Sequence, residues 1–504
     1  MVADKSRAFN FDHRILNQII VMWLVRHSLP WNQIEDHEID FAFRYSQPGL
    51  KLNSWVWAAS EAHKLYCNLQ EKVISTLNNL PSKITLIHDV WTTKGNRQAF
   101  MGISAAYVSE NWEFKVIHLG LKYIAWTQKG KFLAVPFANI ITKSMLHTKI
   151  TQTTDSGSNN GTMAVGVGRI VSQKTGTYMN LLNNSIQCFC HKVALILKAG
   201  LDSIGVGEAG YTKKKQDGLR FVPGLESIAE EAEDIDGSNL FREEGTVPLL
   251  DGSESDSEAS DSKAGTTPGD RIAAVFKKVD AVFLKITGSA AKQSEYKFWA
   301  PKVEKVAPPT LIAGYGIRWN IKFQSRDRAD QGQNAIHKLI EIERAHQDQE
   351  GGKNFFDNVE ITPGNWKVVK RLNDVLKEFY FITKKMEGDI SSAGMMLAEY
   401  RWIKTFLNQQ LVLPNNTEFR PMFRKMITKT NKYVEEALNC DVILLATALN
   451  PSYHLSMLEM WFPSHFQYAK SLIEAQFESK RIELEAHAPT TRHPPTSEEP
   501  RDGI

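Results

Sequence analysis

Cysteine is scarce in these 504 residues: there are four, Cys67, Cys188, Cys190 and Cys440. That is too few for a disulfide scaffold and fits a reducing compartment. Long apolar runs are missing too. The longest near the start, Ile15 to Val25, is interrupted by Asn17 and Gln18 and is too short to span a bilayer. The first residues carry Asp4, Lys5 and Arg7 and no signal-peptide core, so a soluble intracellular chain with no membrane partner is expected. There is no phosphate-binding loop of the P-loop type and no Gly-x-Gly-x-x-Gly after a strand. Gly-x-Ser-x-Gly and His-Glu-x-x-His are absent as well. What is present is an apolar fraction of 42%, enough for a real core. That excludes a wholly disordered, collagen-like or coiled-coil chain.

Net charge is nearly balanced, at +3, but the charges are segregated. Glu226 to Asp261 holds thirteen acids against one base, Arg242, so +3 is the remainder of −12 there and +15 elsewhere. Asp251-Gly-Ser-Glu-Ser-Asp-Ser-Glu-Ala-Ser-Asp261 has no large apolar residue. It cannot bury enough surface to offset its ordering entropy, which predicts an acidic disordered linker over 203–270. The basic remainder suits polyanionic partners, although an ordinary basic surface gives the same count.

Residues 1–80 read as helical, with Leu16, Ile19, Ile20, Trp23 and Leu24 at helical spacing and a second run from Trp55 to Leu77. Three β-prone runs follow: Ile84–Ile87, Met101–Val108 and Phe114–Leu121. The last two show alternation, and short turns between all three predict an antiparallel meander. A fourth strand is expected over Ile150–Thr154, a helix over Asn160–Val171, a fifth strand over Ser185–Phe189 and a helix over Val193–Leu201. That order predicts an α/β fold, a mixed sheet flanked by helices, over 81–202. Residues 271–480 return to helical stripes: Ile272, Val275, Phe276, Val279, Val282 and Ile286 form one, and Val368, Leu372, Val375, Phe379 and Ile382 another. Residues 481–504 read as a disordered, proline-rich tail.

Few residues could carry chemistry. Asp89 falls at the end of the first strand and Asp155 after the fourth. Carboxylates at the ends of neighbouring strands can share a hard cation such as Mg²⁺ or Mn²⁺, which suppresses their repulsion. Ion–oxygen bonds near 2.1 Å would put the two carboxyl groups within about 4–8 Å of each other. Alternatively each Asp caps a turn or helix. Cys188-Phe-Cys-His191 offers a Cys-x-x-His pair, but with no second pair nearby no structural zinc is expected. Arg318-Trp319-Asn320 opens a helix, where Trp319 can be a packing anchor or can stack a base beside Arg318. Lys213-Lys-Lys215 is a short basic run that suits phosphate contact, nuclear import or plain solvation.

Taken in order, Asp89-Val-Trp-Thr, Thr154-Asp-Ser-Gly-Ser-Asn-Asn160, Cys188-Phe-Cys-His191-Lys-Val-Ala-Leu and Arg318-Trp319-Asn320 resemble the hAT superfamily of DNA transposases. Leu376-Lys-Glu-Phe379 with Thr383, and Leu449-Asn-Pro-Ser-Tyr453, resemble two weaker blocks. The resemblance implies an RNase H-like core with a large α-helical insertion, a DNA partner, a nuclear location and strand transfer by three acids with two Mg²⁺ ions. By position, Asp89 and Asp155 match the first two acids and metal ligands. Cys188 and His191 match a pair kept beside the active site, and Trp319 matches a base-stacking tryptophan.

Two departures bear on activity. The family's zinc-binding BED finger has no Cys/His quartet to match it before Asp89. Its third acid, a glutamate in a Ser-x-Glu-Arg-like block of the dimerisation region, has no counterpart after Tyr453. Glu343-Arg344 is the sole Glu-Arg pair after Trp319, in surroundings that do not match. The expectation is a transposon-derived core without both ends, catalytically incomplete and lacking the family's route to a homo-oligomer. Two other readings stay open. One is an active nuclease whose third acid is unplaced or comes from a partner chain. The other is a non-enzymatic interaction scaffold.

Overall fold

The computed structural model describes residues 11–93, 98–124, 130–148, 150–154, 158–178, 181, 185–206, 268–312, 319–351, 354–356, 361–388 and 392–487. The acidic segment, Lys213–Lys215, Asp155 and Arg318 lie outside them. The fold is mixed α/β and mostly helical. Two compact units divide the chain, one of residues 1–151 and 166–179, the other of 152–165 and 180–504. No helix among the described residues is long and apolar enough to cross a membrane.

The first unit opens with α1 (His13–Arg26), α2 (His37–Ser46) and α3 (Trp55–Asn79). Each starts at a polar cap: Asp12, Asp36 and Ser54 accept hydrogen bonds from backbone N–H groups of the first turn. Their shared core is small, formed by Ile20, Val21, Leu24, Ile34 and Ala58. Buried Asn17 ties the linker before α3 in place. Its side chain donates to the Lys51 carbonyl and accepts from Asn53 N–H at 2.8 Å.

Strands β1 (Ile84–Thr92), β2 (Ala99–Val108) and β3 (Phe114–Ile124) form the predicted antiparallel meander. β1 is five residues longer than the β-prone run at its start, because pairing with β2 continues through Trp91↔Phe100 and Thr92↔Ala99. Asp89 therefore lies inside the strand rather than at its end. Ile84, Leu86 and His88 are buried on one face, while Asp89 and Trp91 are exposed on the other. The period of two separates them. Helix α4 (Gly130–Lys143) follows, with Leu133, Ala134, Phe137, Ala138 and Ile141 buried. The His88 ring meets Phe137 at 5.2 Å.

Strand β4 (Ile150–Thr154) begins in the first unit and ends in the second, and α5 (Ser158–Thr175) is likewise shared. The sheet order is β3-β2-β1-β4-β5, where β5 (Ser185–Gln187) runs parallel to β4. β5 stops two residues short of the run read from the sequence. Cys188 caps α6 (Phe189–Asp202), and Phe189 turns its ring into the helical core.

The rest of the second unit is helical: α7 (Pro268–Thr287), α8 (Ala290–Val303), α9 (Trp319–Gln331), α10 (Gln333–Glu350), α11 (Pro363–Met386), α12 (Met396–Val412), α13 (Arg420–Leu438), α14 (Asp441–Ala448), α15 (His454–Trp461) and α16 (Pro463–His487). One core joins them with α6. Its stripes are those of the sequence: Ile272, Phe276, Val279, Val282 and Ile286 on α7, and Leu372, Val375, Phe379 and Ile382 on α11. α11 has a full capping box, Thr362 with Asn365, and Pro363 in its first turn. α16 runs seven residues into the stretch read as tail.

Candidate functional site

Asp89 sits on the open face of β1, directly opposite Gly102 of β2. Two residues on, Trp91 points to the same face, and its indole lies over Gly102. A methyl group placed on Gly102 would meet the Trp91 ring at 3.0 Å, so this contact depends on glycine. The carboxylate of Asp89 is exposed. Asp155 follows Thr154, the last residue of β4, and lies outside the described residues. Among the described residues no group of three His, Cys, Asp or Glu side chains is arranged to hold a metal ion.

Cys188 and His191 fall at the start of α6. Cys188 is the helix cap, and both side chains are half-buried. Between them, the Cys190 thiol donates to the Thr383 carbonyl of α11 at 3.8 Å. A hydrogen bond with Cys188 and then burial push that thiol far above its usual range. It is therefore a protonated packing group rather than a nucleophile.

The next residue, Lys192, fixes this helix. It is buried, its ammonium pairs with Glu436 of α13, and it stands 3.9 Å from the centre of the Tyr433 ring. Phe189 packs against Tyr400 at 4.8 Å. Burial raises the Tyr400 hydroxyl well above the usual phenol range. None of these partners was assigned a role from sequence. The signal present was Lys192 on the apolar side of a short helix, where a charge needs a partner.

Trp319 opens α9 and is partly buried against the helical core, which fits the packing reading of this residue. Arg318 lies outside the described residues. Further along α9, buried Arg326 makes a two-pronged pair with Asp280 at 3.2 and 3.0 Å and stacks on Phe276 at 4.5 Å. Glu343 is engaged elsewhere. It bridges Lys292 at 2.8 Å and accepts the Phe355 N–H at 3.2 Å. Lys292 holds its carboxyl below the ordinary range. It is a structural ion-pair residue of α10.

Comparison with known proteins supports a distant transposase relationship. The chain is 24% identical over 199 residues to a Zea mays protein designated AC transposase, covering 38% of this chain and 24% of that protein. A Zea mays AC9 transposase matches to the same degree, over 23% of its length. A Talaromyces stipitatus protein designated transcriptional regulator tpeD is 24% identical over 147 residues, 29% of this chain and 17% of that protein. No family profile matches. The chain thus spans about a quarter of the length of the curated transposases it matches, and over 38% of its own length it is similar to the AC transposases of maize.

Proposed function

We propose that the chain is a transposon-derived protein of the hAT type, with an RNase H-like core that binds DNA in the nucleus and a catalytic centre that is incomplete. The observation that carries this reading is the similarity to the AC transposases, together with the motif order that runs through Asp89, Asp155, Cys188, His191 and Trp319. Asp89 and Asp155 would be the metal ligands. Asp89 lies within one strand, and Asp155 follows the last residue of another. Mg²⁺ or Mn²⁺ suits two hard carboxylates, and a pair of such ions supplies an activated water and charge stabilisation at a leaving phosphate oxygen. Arg318 and Trp319 would touch DNA, and Cys188 and His191 would support the site.

A third acid is what these residues lack. Glu343, in the sole Glu-Arg pair after Trp319, is committed to Lys292 and the Phe355 N–H. Two carboxylates can hold one ion. A second ion without its anchor removes several kcal/mol of transition-state stabilisation. A loss of about 4 kcal/mol is about a thousandfold in rate. The test is incubation of the purified protein with supercoiled plasmid and Mg²⁺ or Mn²⁺, beside an Asp89→Ala control. No nicking above background is expected from either. Nicking by the wild type that vanishes in the control would show an intact active centre.

A further inference from the structure

The open face of the meander carries a row of aromatic rings that the motif reading does not use. Trp91, Phe100 and Tyr123 lie on three adjacent strands as direct cross-strand partners, Trp91↔Phe100 and Phe100↔Tyr123. Trp91 and Phe100 stack with ring centres 6.2 Å apart and planes at 29°. Phe100 and Tyr123 follow at 5.6 Å and 59°. The row is not covered: Trp91 is 41% exposed and Tyr123 56%, and neighbouring Leu121 is 53% exposed. Asp89 shares this face, two residues before Trp91, whose ring spans the Gly102 opposite that carboxylate.

From this geometry we infer that the Trp91–Phe100–Tyr123 row is a stacking platform for the unpaired bases of single-stranded DNA, placed beside the Asp89 carboxylate. The inference rests on the DNA-binding reading above and adds its substrate form. Base–aromatic stacking tolerates every base, because each presents a π face. A duplex keeps its bases stacked inside the helix and cannot lay them on exposed protein rings, so the platform selects unpaired strands. Cross-strand aromatic pairs also stabilise a sheet by themselves, so the test needs a readout that sheet stability leaves unmoved.

That readout is the preference between single-stranded and duplex DNA, measured with oligo(dT) and a duplex of equal length at one salt concentration. Losing one stacked base contact is worth about 1–3 kcal/mol, or roughly five- to 150-fold in affinity. Trp91→Ala and Tyr123→Ala should each weaken oligo(dT) binding by that factor with duplex affinity unchanged, while Trp91→Phe and Tyr123→Phe keep it within about threefold. As a readout that needs no variant, 5-iododeoxyuridine in the oligonucleotide should photocrosslink the wild-type chain at Trp91, Phe100 or Tyr123. Unchanged oligo(dT) affinity in the alanine variants, or adducts confined to other segments, would overturn the platform. If duplex binding persists in that case, the DNA-binding reading survives. Absence of binding to either DNA form would remove both.

Discussion

Lys192 and Glu436 show how much one ion pair can hold at the residue scale. The lysine side chain is 5% exposed and the glutamate 37%, so one charge is fully desolvated and its partner half solvated. Removing the glutamate's charge takes a countercharge away from a buried ammonium that stands on the Tyr433 ring. Glu436→Gln should therefore destabilise by about 1–3 kcal/mol, less than for a wholly buried pair because water reaches the glutamate. A urea melt of the variant gives this as a lowered midpoint at unchanged slope. Glu343 gives a pH dependence of definite sign. Lys292, then the Phe355 N–H, hold its carboxyl below its ordinary value of 4.5. A carboxyl depressed in the folded state contributes stability that is complete above its unfolded value. That contribution is lost as pH falls through the folded one. Part of the acid sensitivity below about pH 4.5 should thus disappear in Glu343→Gln, measured as a flatter plot of thermal midpoint against pH between pH 5 and 3.

Helices α6 and α13 give the corresponding test at the element scale. They approach closely at Gly200, where an added methyl group would meet Met426 Cγ at 2.5 Å and Met422 Cγ at 2.9 Å. Both neighbours are flexible, so Gly200→Val should cost about 1–3 kcal/mol by overpacking rather than abolish the fold. The thermal midpoint would register it. Elements with a clear period are legible in the sequence. Alternation along Met101–Val108 and Phe114–Leu121 gave the meander, and the stripes of α7 and α11 gave their buried faces. α4 was not read, because Gly130 and Pro136 break the helical signal although Leu133, Ala134, Phe137 and Ile141 keep its spacing. β5 was read too long because Phe189 is β-prone, yet Cys188 already caps a helix. The candidate site divides the same way. The motif singles out Asp89, and the pairing of β1 with β2 sets the face that it takes. The aromatic row was not, since register between strands cannot be read off one sequence. Lys192–Glu436 joins residues 244 positions apart, and no local pattern announces such a pair.

Charge governs the behaviour expected of the whole molecule. A segment of −12 and a remainder of +15 attract one another at low ionic strength, and exposed charges are screened beyond about 8 Å in physiological salt. On the proposed DNA-binding reading, Glu226–Asp261 competes with DNA for the basic remainder of the chain. Deleting it should raise duplex affinity at 50 mM salt and leave affinity at 300 mM nearly unchanged. Equal affinities at 50 mM would dispose of the competition. The measurement that tests the central claim most directly is the salt dependence of duplex binding by the full chain. Neutralising several phosphates releases their counterions, so log K should fall linearly with log salt at a slope near −0.9 for each phosphate contacted. The account predicts measurable binding at 50 mM salt with a slope of about −4 or steeper. A chain that leaves DNA unbound at 50 mM salt would contradict it.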